Sequence, residues 1–107
     1  MQFICGVCKG GQRRIFSAEN APSIRNLDDL TGELSDDFYD WGPDSDTASS
    51  ERTACVILSR VISGREVIRL APIYAEQVVR PSLSADRMWM LSISEIESWA
   101  DAHRRVI

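Results

Sequence analysis

Between Asn26 and Glu51 the chain carries nine acidic residues (Asp28, Asp29, Glu33, Asp36, Asp37, Asp40, Asp44, Asp46, Glu51) and no lysine or arginine. Nine unpaired acids repel one another, so an ordered segment here must hydrogen-bond its carboxylates or spread them over solvent. The rest of the chain holds all 12 basic residues and the other 7 of the 16 acids. A block of −9 therefore sits in a background of +5, summing to −4. A one-sign block reads first as a solvated loop. The aromatics inside it, Phe38, Tyr39 and Trp41, also allow a second reading, a surface that binds something basic.

The length of 107 residues is that of a single domain spanning 1–107. At 44% apolar and 26% charged, the composition is that of a soluble globular protein. No apolar run approaches the roughly 20 residues that span a bilayer. The start, Met1-Gln2-Phe3-Ile4-Cys5, has neither a basic leader nor a long apolar stretch, so the expected compartment is the cytoplasm. Three cysteines make an odd number and no disulfide framework. An isoelectric point near 4.9 argues against direct nucleic-acid binding, which needs a basic face.

Residues 2–8 and 12–18 read as a hairpin, with Lys9-Gly10-Gly11 as its turn. Pro22 to Leu27 offers a further short strand. Residues 28–46 lack periodicity and are rich in Asp, Gly, Ser and Pro, the composition of a long loop. The clearest helix is expected over 47–62. Asp46 or Thr47 can cap it, and Ala54, Leu58, Val61 and Ile62 form its apolar stripe. A second helix is predicted to start near Pro72, which suits a first helical turn, and to run to about Arg80 before Pro81. Met88–Leu91 reads as a short buried strand. Ser92-Ile93-Ser94-Glu95 is a capping box that opens the last helix, with Ile96, Trp99, Ala100 and His103 along one face.

Few residues point to chemistry. Cys5-Gly6-Val7-Cys8 has the spacing of half a zinc knuckle, but tetrahedral zinc needs four ligands. Only Cys55, on the apolar side of a helix, and His103 remain as soft donors. The same string resembles a thioredoxin active site, yet no helix follows to lower a thiol pKa. The alternative is two strand cysteines, on the same or opposite faces depending on a bulge. His103, near the end of the last helix, reads as a cation favoured by the helix dipole. The acidic pairs Asp36-Asp37 and Asp44-Ser45-Asp46 lack the glycine turn and closing glutamate of a calcium loop. No phosphate loop, dinucleotide fingerprint or nucleophile elbow occurs. Trp41 is expected to anchor its loop by packing inward, while Tyr39 stands open between anchor and contact residue.

Phe38-Tyr39-Asp40-Trp41-Gly42, then Ala54-Cys55-Val56-Ile57-Leu58, then Val78-Val79-Arg80 and a closing Trp89-Met90-Leu91-Ser92 … Ile96 … Trp99 come in a characteristic order. In this it resembles a domain-of-unknown-function family of small bacterial and phage proteins, over about residues 38–100. That family has an aromatic-Trp-Gly motif and a C-terminal Trp-x-Leu-Ser-x-x-x-Ile-x-x-Trp segment. The resemblance implies no activity, no catalytic residues and a phage or mobile-element origin.

Together these features lead us to expect an α+β domain: a small antiparallel sheet, built from the N-terminal hairpin and one or two short strands, packed against three helices. The expected function is that of a small, non-enzymatic, cytoplasmic protein-binding module without cofactor or metal. Its sharpest version is a phage-encoded, anti-CRISPR-like inhibitor of a host defence complex, acting in the host cytoplasm. It would cover a basic, nucleic-acid-binding surface by charge complementarity. The contact residues expected are Asp36, Asp37, Tyr39, Asp40, Asp44 and Asp46. Charge reversal at Asp36, Asp37 and Asp40 is expected to abolish binding and leave the thermal midpoint nearly unchanged. The alternatives are an immunity or antitoxin-type protein and a zinc- or thiol-dependent protein using Cys5 and Cys8.

Overall fold

The computed structural model describes residues 2–9, 12–19, 27–29, 39–83 and 88–104. Strands β1 (Gln2–Lys9) and β2 (Gln12–Glu19) pair antiparallel without a bulge, from Gln2↔Glu19 to Lys9↔Gln12. That register leaves two residues, Gly10 and Gly11, for the connection. β3 (Leu27–Asp29) pairs with β2 and β4 (Trp89–Ser92) with β1, so the sheet order is β3-β2-β1-β4, antiparallel throughout. The third strand falls at 27–29. It shares Leu27 with the short strand expected over Pro22–Leu27 and takes Asp28 and Asp29 from the expected loop, and the rest of the 20–38 stretch lies outside the described residues.

Among the described residues three helical bodies accompany this sheet, and the fold is α+β. Helix α1 (Thr47–Leu58) opens at Asp46 as expected but ends four residues early. After Leu58 the backbone tightens: Val61 N–H donates to the Leu58 carbonyl at 3.0 Å, and Arg60 N–H to that of Ile57. Ile62 is nonetheless buried in the core. The larger departure is α2, which runs Arg65–Tyr74 rather than starting at Pro72. Val67, Leu70, Ala71 and Tyr74 recur at i, i+3, i+4 and i+7 and turn inward, and that stripe decides where the helix lies. Pro72 is exposed inside the helix, where its ring removes one i→i−4 bond. The helical path then widens into a π turn, Ala75–Val79, and closes with a last turn, α3 (Arg80–Ser82). β4 begins one residue later than the apolar run suggested, because Met88 is 58% exposed and Trp89 is the first residue to face the core.

Helix α4 (Ile93–Arg104) starts at the expected cap. Glu95 N–H donates to Ser92 Oγ at 3.1 Å, and the Ser92 hydroxyl in turn lies 3.1 Å from Glu95 Oε1. On the helix-covered face of the sheet, Ile4, Ile15 and Trp89 meet Ile57, Leu58, Leu70, Tyr74, Val79 and Ile96 in one core. Trp41 joins that core at 1% exposure. Trp99 is only half-buried. It meets Tyr74 edge-on at 4.7 Å and stacks on His103 at 3.8 Å. His103 Nδ1 lies 2.8 Å from the Trp99 carbonyl and Nε2 3.0 Å from Gln77 Oε1. The sole histidine therefore ties α4 to the π turn.

Candidate functional site

Within the acidic block, between β3 and α1, the described residues 39–46 form a loop pinned to the fold at several points. Asp40 is the first. Its backbone N–H donates to Thr53 Oγ1 at 3.2 Å, and the Thr53 hydroxyl donates to the Asp40 carbonyl at 2.7 Å. Its carboxylate accepts the Trp41 N–H at 2.8 Å and forms an ion pair with Arg13 of β2. The Arg13 guanidinium also lies over the Trp41 ring, 5.1 Å from its centroid, a cation–π arrangement. Trp41 meets Trp89 edge-to-face at 5.3 Å, so the loop is fastened directly to β4.

Gly42 is the second point. Its φ of 98° is a conformation that glycine adopts without strain. Gly42 N–H donates to the Val79 carbonyl at the end of the π turn, and the Gly42 carbonyl accepts both the N–H and the hydroxyl of Ser45. Asp46 is the third. Its Oδ1 accepts the Ser49 N–H at 2.7 Å and its Oδ2 the Ser49 hydroxyl at 3.1 Å, making it the N-cap of α1. These two bonds to Ser49, the backbone one first, hold the Asp46 carboxyl below its ordinary range.

The six expected contact residues thus separate by environment. Asp36 and Asp37 lie outside the described residues. Asp40 is half-buried and engaged with Arg13, Thr53 and Trp41. Asp46 is exposed, and its carboxylate is occupied by the helix it caps. Tyr39 is half-buried and packs against the core. Burial, then the nearby Cys55, raises its hydroxyl pKa, with Arg52 opposing. Asp44 is exposed at the loop tip beside Pro43 and has no partner among the described residues. Next to it lies a shallow hollow of about 350 Å³ lined by Pro43, Glu76, Arg80 and Pro81. Arg13 and Thr53, which shape the loop, were not singled out by sequence. Arg13 lies 27 positions from Asp40, and no local spacing links them.

Cys5 and Cys8 both lie on β1, and the side chain of Cys8 lies outside the described residues. Cys5 is buried, and burial raises its thiol pKa, the opposite of an activated thiol. Cys55 is half-buried on α1, its pKa raised by burial and then by Glu51. Among the described residues no group of three or more His, Cys, Asp or Glu side chains is placed to hold a metal ion. Nor is any described helix long and apolar enough to cross a membrane.

In comparisons with protein-family models, curated proteins and solved structures, the chain matches none.

Proposed function

We propose that this chain is a non-enzymatic protein-binding module that docks a basic partner surface through the 26–51 segment, with Asp44 as its exposed described contact. The observation that carries this reading is the density of one-sign charge on a loop fixed in shape at Asp40, Gly42 and Asp46. Fixing a loop before binding removes ordering entropy from the association. Opposed charge speeds encounter and rejects acidic competitors. A partner that itself binds nucleic acid offers the basic groove such a surface would cover. A phage-encoded, anti-CRISPR-like inhibitor of a host defence complex, working in the host cytoplasm, is the sharpest form of this proposal.

The test is a pull-down from bacterial lysate at low and high salt, run in parallel with the Asp36→Lys/Asp37→Lys/Asp44→Lys protein. The reading expects a salt-sensitive basic partner that the variant loses while retaining its wild-type circular dichroism. A partner retained by the folded variant would overturn it.

A further inference from the structure

The contact between α4 and the π turn fixes where its protons lie. Trp99 Nε1–H is a donor only, and it lies 3.3 Å from the Gln77 side chain. Gln77 therefore presents its carbonyl oxygen there and not its amide nitrogen. The same oxygen lies 3.0 Å from His103 Nε2, so that nitrogen must carry a proton to bond it. The other ring nitrogen, Nδ1, lies 2.8 Å from the Trp99 backbone carbonyl, an acceptor only, and carries a proton as well. A ring that donates from both nitrogens is the imidazolium ion.

The surroundings suit that charge. The ring stacks on the Trp99 indole, with centroids 3.8 Å apart and planes 17° from parallel, so the cation lies over an aromatic face. It stands in the last turn of α4, at the negative end of the helix dipole. The elements packed against it bring charges of both signs: Asp101 and Arg104 of its own helix, Arg65, Glu66 and Arg69 of α2, and Glu76 of the π turn. Arg104 is engaged by Glu66 and Asp101. Among the described residues no carboxylate lies within ion-pair reach of His103, so two oxygen acceptors and the indole face hold the charge in place of a counter-ion. Burial, and then Glu95, raises the Tyr74 pKa, so that hydroxyl stays neutral wherever histidine titrates.

We propose that Trp99, Gln77 and His103 form a pH-sensitive clasp between α4 and the π turn, closed by the imidazolium and opened when Nε2 loses its proton to water. Nδ1 keeps its proton because its acceptor belongs to the helix. The neutral ring then turns a lone pair toward Gln77 Oε1, and two acceptors repel. Rotating the Gln77 amide brings an N–H to Nε2 but takes the oxygen away from Trp99 Nε1–H, so one of the two contacts breaks in either case. Histidine changes charge between about pH 5 and 8, and that is the window in which the clasp responds. The π turn also carries the Val79 carbonyl that holds Gly42, so the clasp bears on the element that anchors the acidic loop.

The test is NMR on the isotope-labelled full chain from about pH 5 to about pH 8.5, which brackets histidine titration. The His103 ring is expected to end as the Nδ1–H tautomer, and the Trp99 indole N–H to lose its exchange protection over the same transition. Gln77→Met removes the acceptor at nearly constant length, and the titration midpoint of His103 should fall. Gln77→Glu adds charge to the acceptor, and the midpoint should rise by about one pH unit. Gln77 is exposed, so both variants should keep the native circular dichroism. An amide that donates to a neutral ring predicts the opposite sign, a midpoint raised by Gln77→Met, and that result would overturn the proposal. So would an Nε2–H tautomer at the alkaline end, or an indole N–H whose protection ignores the titration.

Discussion

Replacing Gly6 by alanine places a methyl group where the indole of Trp89 now lies. A Cβ built on Gly6 falls 2.2 Å from Trp89 Cε2, 2.3 Å from Cζ2 and 2.5 Å from Nε1. Ordinary contact begins at about 3.4 Å, so the ring must retreat by at least about 1.2 Å. Little space is open to it. Gly6 and Trp89 are paired across β1 and β4, Trp89 is 7% exposed, and its far side meets Trp41 edge-to-face. Overpacking of a well-filled core costs about 1–3 kcal/mol. Three overlapping atoms on a rigid ring put this case at about 3 kcal/mol. That is a large share of the roughly 5–15 kcal/mol that holds a domain folded. With an m-value of about 2 kcal/mol/M, the urea midpoint should fall by about 1.5 M. Urea unfolding followed by tryptophan fluorescence measures it. In a Trp89→Leu background the obstacle is gone and Gly6→Ala should be close to neutral. A Gly6→Ala protein within about 0.5 kcal/mol of wild type would refute the reasoning. The same loss persisting beside Trp89→Leu would refute it equally.

Three further outcomes follow from the same contacts. Arg13→Ala removes both the Asp40 ion pair and the cation on Trp41, and urea unfolding should show a loss of about 1–2 kcal/mol with a shift in tryptophan emission. Asp46→Ala should lower the melting temperature at pH 7. Because the folded Asp46 pKa is depressed, its contribution exists above the ordinary value of about 3.9 and fades as pH falls through the folded one, so the two melting curves should converge in acid. Burial, and then Glu95, raises the Tyr74 pKa; its neutral form is the one the fold accepts, so stability is full below the ordinary tyrosine value of about 10 and is lost as pH rises beyond it. Tyr74→Phe should therefore flatten the alkaline limb of melting temperature against pH.

What was legible in the sequence was local. The pairing of the N-terminal hairpin strands, the Asp46 cap and the Ser92–Glu95 pair each depend on residues near in sequence, and each lies where the pattern placed it. Pro72 misled because proline is commonest at a first helical turn. The stripe Val67, Leu70, Ala71, Tyr74 outweighed it, since a proline on the solvent side costs one backbone bond and leaves the core stripe intact. The contacts that shape the loop were not legible. Arg13 reaches Asp40 only because β2 lies beside the loop, and Trp41 finds Trp89 only once β4 has paired with β1. Such partners are set by topology and leave no mark in spacing.

This division of labour changes how the acidic block must be tested. Counted from sequence, Asp36, Asp37 and Asp40 are equivalent charges, and reversing all three was expected to spare stability. The structure makes Asp40 the residue that accepts Arg13 and the Trp41 N–H. A lysine there sets two cations together beside the Trp41 ring and leaves the Trp41 N–H without its carboxylate. The Asp40→Lys protein should therefore melt lower than wild type, and lost binding in it would report a displaced loop as readily as a lost contact. Asp44 has no such duty among the described residues. Reversing it should leave the melting temperature within about 2 °C of wild type, as expected of an open surface position. A larger fall would mean that the loop tip also helps to hold the fold. Binding lost at Asp44 with the melting temperature intact is the result that assigns the charge of this loop to a partner.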